Sequence, residues 1–157
     1  MSDPWEVDAA KLRAEKPKHL LFLCVANSAR SQMAEGIARA LAPRGVKVSS
    51  AGSAPSKVDP LAIKALAEIG IDISQQSSKS VADVPPGDVD VVVTLCSEEE
   101  CPVFLGKATR LHWGLPDPAT AAGDEDARLK SFRAVRDELC RRLGRVFSPG
   151  FLVEPTR

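Results

Sequence analysis

Apolar residues recur with two different periods along this chain. Leu20 to Cys24 is an unbroken apolar run, and Val89 to Leu95 is nearly continuous in valine, as expected of parallel strands covered on both faces. Val46-Lys47-Val48-Ser49 alternates as a short strand, and Thr109 to Trp113 supplies a fourth. Between these runs the spacing becomes helical. Met33, Ile37 and Leu41 predict a helix over about 29–42. Ala62, Ile63, Leu66 and Ile69 predict a second, opened by Asp59-Pro60 and stopped by Gly70. Leu129, Phe132, Val135, Leu139 and Leu143 predict a last amphipathic helix over 125–143 that ends before Gly144. Near the N-terminus, Trp5, Ala9 and Leu12 suit a short helix begun by Asp3-Pro4 and ended by Pro17. Gln75 to Gly87 is polar and closes with Pro85-Pro86-Gly87, so it reads as a surface loop or a frayed helix. Strands alternating with helices imply an α/β three-layer sandwich around a four-stranded parallel sheet. Ligands in such sheets sit outside the carboxyl ends of the strands, and Cys24, Cys96 and Asp117 all follow strand ends.

Length and composition narrow this reading. With 157 residues, 44% of them apolar, the chain supports one ordinary core and is short for two. Residues 19–157 form the expected domain, and residues 1–18 read as an N-terminal extension, an appended arm. Lys+Arg and Asp+Glu both total 21, so no global field advertises nucleic acid or an anionic membrane, and any anion site must be local. No apolar run approaches a membrane span and no leader pattern is visible, which suggests a cytoplasmic protein. In that compartment four cysteines are expected to be free or redox-active rather than structural bridges. His19, ahead of the first strand, has no partner at metal-ligand spacing and suits a boundary or surface position; no metal site is expected. Cys140, beside the apolar stripe of the last helix, is expected in the core.

The chemistry concentrates after the first strand, in Cys24-Val25-Ala26-Asn27-Ser28-Ala29-Arg30-Ser31. Five residues separate the thiol from the guanidinium, enough backbone to wrap one tetrahedral oxyanion with inward amide N–H groups at a helix N-terminus. Those amides, the helix dipole and Arg30 all favour the thiolate, which is the nucleophilic form of Cys24. Arg30 can hold two oxygens of an oxyanion with its planar fork, and Ser31 is placed to hydrogen-bond the sulfur. A buried structural cysteine followed by a chance arginine is the competing reading, and it leaves Ser31 and the strand-to-helix context unexplained.

This loop, with Gln32-Met33-Ala34-Glu35-Gly36 after it, resembles the active-site loop of the low-molecular-weight protein tyrosine phosphatase superfamily, most closely its arsenate reductase branch. The resemblance continues through Ser49-Ser50-Ala51-Gly52, Ile71-Asp72-Ile73-Ser74, Val92-Val93-Thr94-Leu95-Cys96, Cys101-Pro102 and His112-Trp113-Gly114-Leu115-Pro116-Asp117-Pro118-Ala119, covering roughly residues 19–143. It implies that Asp117, stiffened by flanking prolines, is a general acid to the leaving oxygen. Phosphatases of this fold usually follow that Asp-Pro with aromatic residues. Here Ala119-Thr120 follows and the chain has no tyrosine, which suits a small inorganic substrate.

The same resemblance implies a thiol relay. Cys24 would attack arsenate, Cys96 would attack Cys24 and expel arsenite, and Cys101 would resolve the bridge, leaving Cys96–Cys101 for an external thiol reductant. Thioredoxin or a glutaredoxin-type protein would serve, with no bound cofactor, and phosphate or sulfate would act as substrate analogues. In a regular helix residues five apart lie roughly 8–9 Å apart at Cα, beyond the reach of a disulfide at about 7 Å. Pro102 disfavours helix at Cys101, so a bridge there demands a conformational change. Glu98-Glu99-Glu100 reads as a solvated face. Asn27, Glu35 and Ser50 match positions that help build a monovalent cation site behind the loop in relatives. Lys79 stands where that site's last carboxylate is expected, so its ammonium would replace the cation. Two other readings stay open: a phosphatase using Cys24, Arg30 and Asp117 alone, and a non-enzymatic oxyanion or redox sensor.

Overall fold

The computed structural model describes residues 3–97, 102–104 and 106–147 of the chain. Four parallel strands form its sheet: β1 (His19–Cys24), β2 (Lys47–Gly52), β3 (Val91–Thr94) and β4 (Thr109–His112), in the order β2-β1-β3-β4. β1 lies in the middle, with Leu20 opposite both Val48 and Val91, and Phe22 opposite Ser50 and Val93. The helices are α1 (Pro4–Glu15), α2 (Arg30–Leu41), α3 (Pro60–Ala67) and α4 (Glu125–Phe147).

Side chains alternate across a strand, so β1 feeds two cores. Leu20 and Phe22 join Val48, Val91, Val93 and the buried stripes of all four helices, while Leu21 and Leu23 join Ala51, Val92, Val89 and Phe104 on the other face. Val81, in the short 3-10 turn Val81–Asp83, packs against that second face with Val84 and Ala108. Each fully buried Leu, Ile or Phe contributes about 1.5–3 kcal/mol, which fixes register, because a one-residue slip would swap the two faces.

Several boundaries differ from the sequence reading. β2 continues to Gly52 rather than ending at Ser49, since it pairs with β1 along its whole length and Gly52 N donates to Lys79 O at 2.9 Å. α4 runs through Gly144 to Phe147; a helical glycine costs about 1 kcal/mol, and burial of Leu143 and Val146 outweighs it. His19 is not a surface residue. It is buried in β1, with Nδ1 bonded to Asp88 O at 3.0 Å and Nε2 to Ser49 Oγ at 2.8 Å, and desolvation is the main reason its pKa is lowered. α1, read as an appended arm, packs Ala9 and Leu12 into the main core. Cys140 is buried there too, and desolvation pushes its thiol up to about 11.

No described helix is long and apolar enough to cross a membrane. Among the described residues no three His, Cys, Asp or Glu side chains converge as metal ligands.

Candidate active site

Cys24 is the last residue of β1 and α2 begins at Arg30, so residues 25–29 must turn the chain between two packed elements. Asn27 takes a left-handed conformation at φ 49°, one that asparagine tolerates. The loop carbonyls are all engaged from outside. Val25 O accepts from Ala54 N at 2.9 Å, Ala26 O from Ser56 N at 3.1 Å and Ser78 Oγ at 3.0 Å, Asn27 O from Gln32 Nε2 at 3.0 Å, and Ser28 O from Asp59 N at 3.0 Å. In a trans peptide N–H and C=O point opposite ways, so the amides of Ala26 to Ala29 face inward as a nest. Val25, Ala26, Ser28 and Ala29 line a cleft of about 270 Å³ together with Cys24, Arg30, Ser56, Asp117 and Ala119.

The first half of α2 is buried all round, including Arg30, Ser31, Gln32 and Glu35. Buried polar side chains need partners, and theirs form a circuit that gives Ser31 its direction. Asn27 Oδ1 accepts from Lys79 N at 2.8 Å and Gln32 Nε2 at 3.0 Å, so Nδ2 must face the other way. Nδ2 donates to Ser31 Oγ at 2.7 Å and Ser50 Oγ at 2.9 Å. Ser50 Oγ in turn donates to Glu35 Oε1 at 2.5 Å. With Asn27 donating to it, Ser31 keeps its own proton available for Cys24 Sγ, 2.8 Å away.

Glu35 would be a costly buried carboxylate without balancing charge. Arg39 bonds its Oε2 and also donates to Val48 O at 2.9 Å, while Lys79 Nζ lies 3.6 Å from Oε1 and donates to Ser77 O at 2.7 Å. Gln32, Arg39, Ser78 and Gln76, whose Nε2 donates to Gln32 Oε1 at 2.8 Å and whose Oε1 accepts from Arg39 NH1 at 3.0 Å, are supports that the sequence reading missed. The signal available was a polar set, Ser31, Gln32 and Glu35, on a helix flanked by apolar residues.

Arg30 spans two loops. Its NH1 donates to Leu95 O at 3.3 Å and Leu115 O at 3.0 Å, and NH2 lies 3.6 Å from Asp117 Oδ2. Asp117 caps the turn Pro118–Thr120 by accepting from Ala119 N at 3.0 Å, which fixes its carboxylate at the cleft rim. β3 stays in register with β1 to its end, Leu23 opposite Thr94, and Leu95 N donates to Leu23 O at 2.9 Å. Cys24 and Cys96 therefore leave adjacent central strands at the carboxyl end of the sheet. Cys96 is buried and disulfide-bonded, whereas Cys24 and Cys140 are free thiols. Cys101 and Glu98-Glu99-Glu100 lie outside the described residues. Trp113 packs in the core and does not reach the cleft.

A four-stranded parallel α/β sheet with a thiol at the floor of an amide-lined cup, and an arginine and an aspartate beside it, is an arrangement suited to thiol chemistry on tetrahedral oxyanions. The chain belongs to the low molecular weight phosphotyrosine protein phosphatase family, whose model matches residues 19–149. It is 44% identical over 128 residues to an arsenate reductase of Bacillus subtilis, covering 80% of this chain and 92% of that protein. Among solved structures it is similar to an arsenate reductase in the phosphate binding state (37% identity, TM-score 0.68, 80% of this chain and 93% of that one). It is also similar to the thioredoxin-dependent arsenate reductase of Corynebacterium glutamicum (27% identity, TM-score 0.55, 88% of this chain and 69% of that one).

Proposed function

We propose that the protein reduces arsenate to arsenite in the cytoplasm, passing two electrons through Cys24, Cys96 and Cys101. The observation that carries this reading is the Cys24 thiol at the floor of the cup, bonded by Ser31 at 2.8 Å, with Cys96 leaving the neighbouring strand beside it. The inward amides and the Arg30 fork hold the oxyanion, and the Cys24 thiolate attacks arsenic(V). Asp117 protonates the departing oxygen, which leaves as water, and a Cys24 sulfur–arsenic bond remains. The Cys96 thiolate then attacks Cys24 Sγ. The sulfur–arsenic electron pair leaves with arsenic, now arsenic(III), and arsenite departs. Cys101 attacks Cys96, freeing Cys24 and forming a Cys96–Cys101 disulfide, which an external dithiol protein reduces. The resemblance to a thioredoxin-dependent relative favours thioredoxin for that role over a glutaredoxin-type protein. No bound cofactor enters the scheme. Behind the cup, Lys79 takes the place of a monovalent cation, consistent with its 3.6 Å approach to Glu35.

Anaerobic incubation of reduced protein with arsenate tests the scheme. Wild type should release one arsenite per chain and stop as Cys96–Cys101. Cys101→Ser should also release one and stop as Cys24–Cys96, and Cys24→Ser should release none while still binding oxyanion. Sustained turnover of Cys101→Ser with thioredoxin would remove Cys101 from the relay, and release of arsenite by Cys24→Ser would end the proposal.

A further inference from the structure

The helix that precedes the family-matched region is tied to the root of the Asp117 loop. α1 lies outside residues 19–149, yet it is fastened along its whole length. Glu6 pairs with Arg145 at 3.3 Å, Arg13 NH1 donates to Arg145 O at 3.4 Å, and Glu15 Oε1 accepts from Thr109 Oγ1 at 2.7 Å at the start of β4. In its first turn, Trp5 meets Arg142 of α4, whose guanidinium carbon stands 5.4 Å from the Trp5 ring centroid and 5.9 Å from that of Trp113. Both distances fall within cation–π range. Arg142 Nε donates to Glu138 Oε2 at 2.7 Å, which holds the plane of the guanidinium.

Trp113 is the residue after β4, and the chain from it leads to Asp117, which lines the cleft together with Ala119. Trp113 N donates to Thr94 O at 2.8 Å, Leu115 N donates to Leu95 O at 3.1 Å, and Leu115 O accepts from Arg30. Between them Gly114 lies so close to the neighbouring segment that a Cβ there would stand 3.0 Å from Cys96 O. Trp113 is 1% exposed and its indole Nε1 has no hydrogen-bond partner among the described residues, so packing sets the ring's position. Part of that packing is the Arg142 guanidinium, which Glu138 holds and which also stands against Trp5.

We infer that α1 is a positioning element for the reaction: Trp5, through Arg142 and Trp113, holds the Asp117 loop at the height where its carboxyl meets the departing oxygen. The inference rests on the reading of Asp117 as proton donor. It gives the N-terminal extension a role in rate rather than in substrate binding, since none of its residues lines the cleft.

The test is a double-mutant cycle on single-turnover arsenite release from reduced full-length protein, which needs no external reductant. Trp5→Ala should lower the rate constant by about tenfold, leave half-saturation by arsenate unchanged, and shift the pH–rate profile as Asp117→Asn does. Trp5→Phe, which keeps an aromatic face, should restore the rate; Arg142→Lys, which keeps the charge and loses the planar fork, should not. In the Asp117→Asn background Trp5→Ala should have no further effect, because both act on one step. An unchanged rate in Trp5→Ala, or full additivity with Asp117→Asn, overturns the inference while leaving the acid role intact. A wild-type rate in Asp117→Asn overturns the acid role and this inference together. Far-UV circular dichroism and Tm on each variant separate loss of fold from loss of rate.

Discussion

Replacing Gly52 by alanine should damage the active site without altering any reacting group. Gly52 ends β2 directly behind the loop, and a Cβ there would lie 2.2 Å from Val25 O and 2.9 Å from Cys24 O. To reach even 3.0 Å the Val25 carbonyl must retreat by about 0.8 Å, and both atoms belong to backbone, so no side chain can yield instead. That carbonyl also accepts from Ala54 N at 2.9 Å, so the shift breaks a support and tips the neighbouring Ala26 amide out of the nest. Overpacking of this kind costs about 1–3 kcal/mol of stability. A displacement approaching 1 Å at a positioned site costs about a hundredfold in rate, or about 2.7 kcal/mol of barrier. Rapid-quench measurement of arsenite release, with a thermal melt on the same sample, reads both. Gly87→Ala is the control, since a Cβ there meets nothing within 4 Å, and it should leave the rate unchanged. Arsenite release by Gly52→Ala at the wild-type rate would refute the argument that loop position depends on this contact.

Three further outcomes are expected. Asn27→Asp replaces the donor that orients Ser31 with an acceptor, so alkylation of Cys24 by iodoacetamide should slow; an unchanged alkylation rate would break the hydrogen-bond circuit as an explanation. Wild-type protein should show no potassium-specific activation over a sodium control, whereas Lys79→Ala should acquire one, and potassium activation of wild type would dismiss the ammonium as cation substitute. Glu68, bonded at 2.6 Å by Arg133 and at 2.8 Å by Arg136, has its pKa lowered to about 2, chiefly by the Arg133 hydrogen bond. A depressed carboxylate stabilises the fold above its unfolded pKa of about 4.3 and loses that contribution as pH falls toward about 2. Glu68→Gln should therefore cost about 1 kcal/mol or less at neutral pH, after allowance for solvent screening, and flatten the acid limb of a urea-melt series; an identical acid limb in both proteins would contradict it.

The strands, the helices and the thiol loop were legible in the chain because each rests on local information. Apolar period separates Leu20–Cys24 from Met33–Ile37–Leu41, and C-x5-R-S keeps nucleophile, amides and guanidinium within one turn of backbone. What the sequence could not supply was direction and contact between distant segments. That Ser31 has a proton available for Cys24 depends on Asn27, which depends on Lys79 and Gln32, residues 52 and 5 positions away. Arg30 meets carbonyls 65 and 85 residues distant, and only the parallel register of β1, β3 and β4 brings them together. His19 reads as peripheral because its partners, Ser49 and Asp88, come from other parts of the chain. α1 reads as an arm for the same reason: three apolar residues predict a helix, while the surface that receives them belongs to α4 and becomes complementary only once both helices are packed. Periodicity is written between neighbours along the chain, whereas hydrogen-bond polarity, charge balance and close approach are properties of neighbours in space.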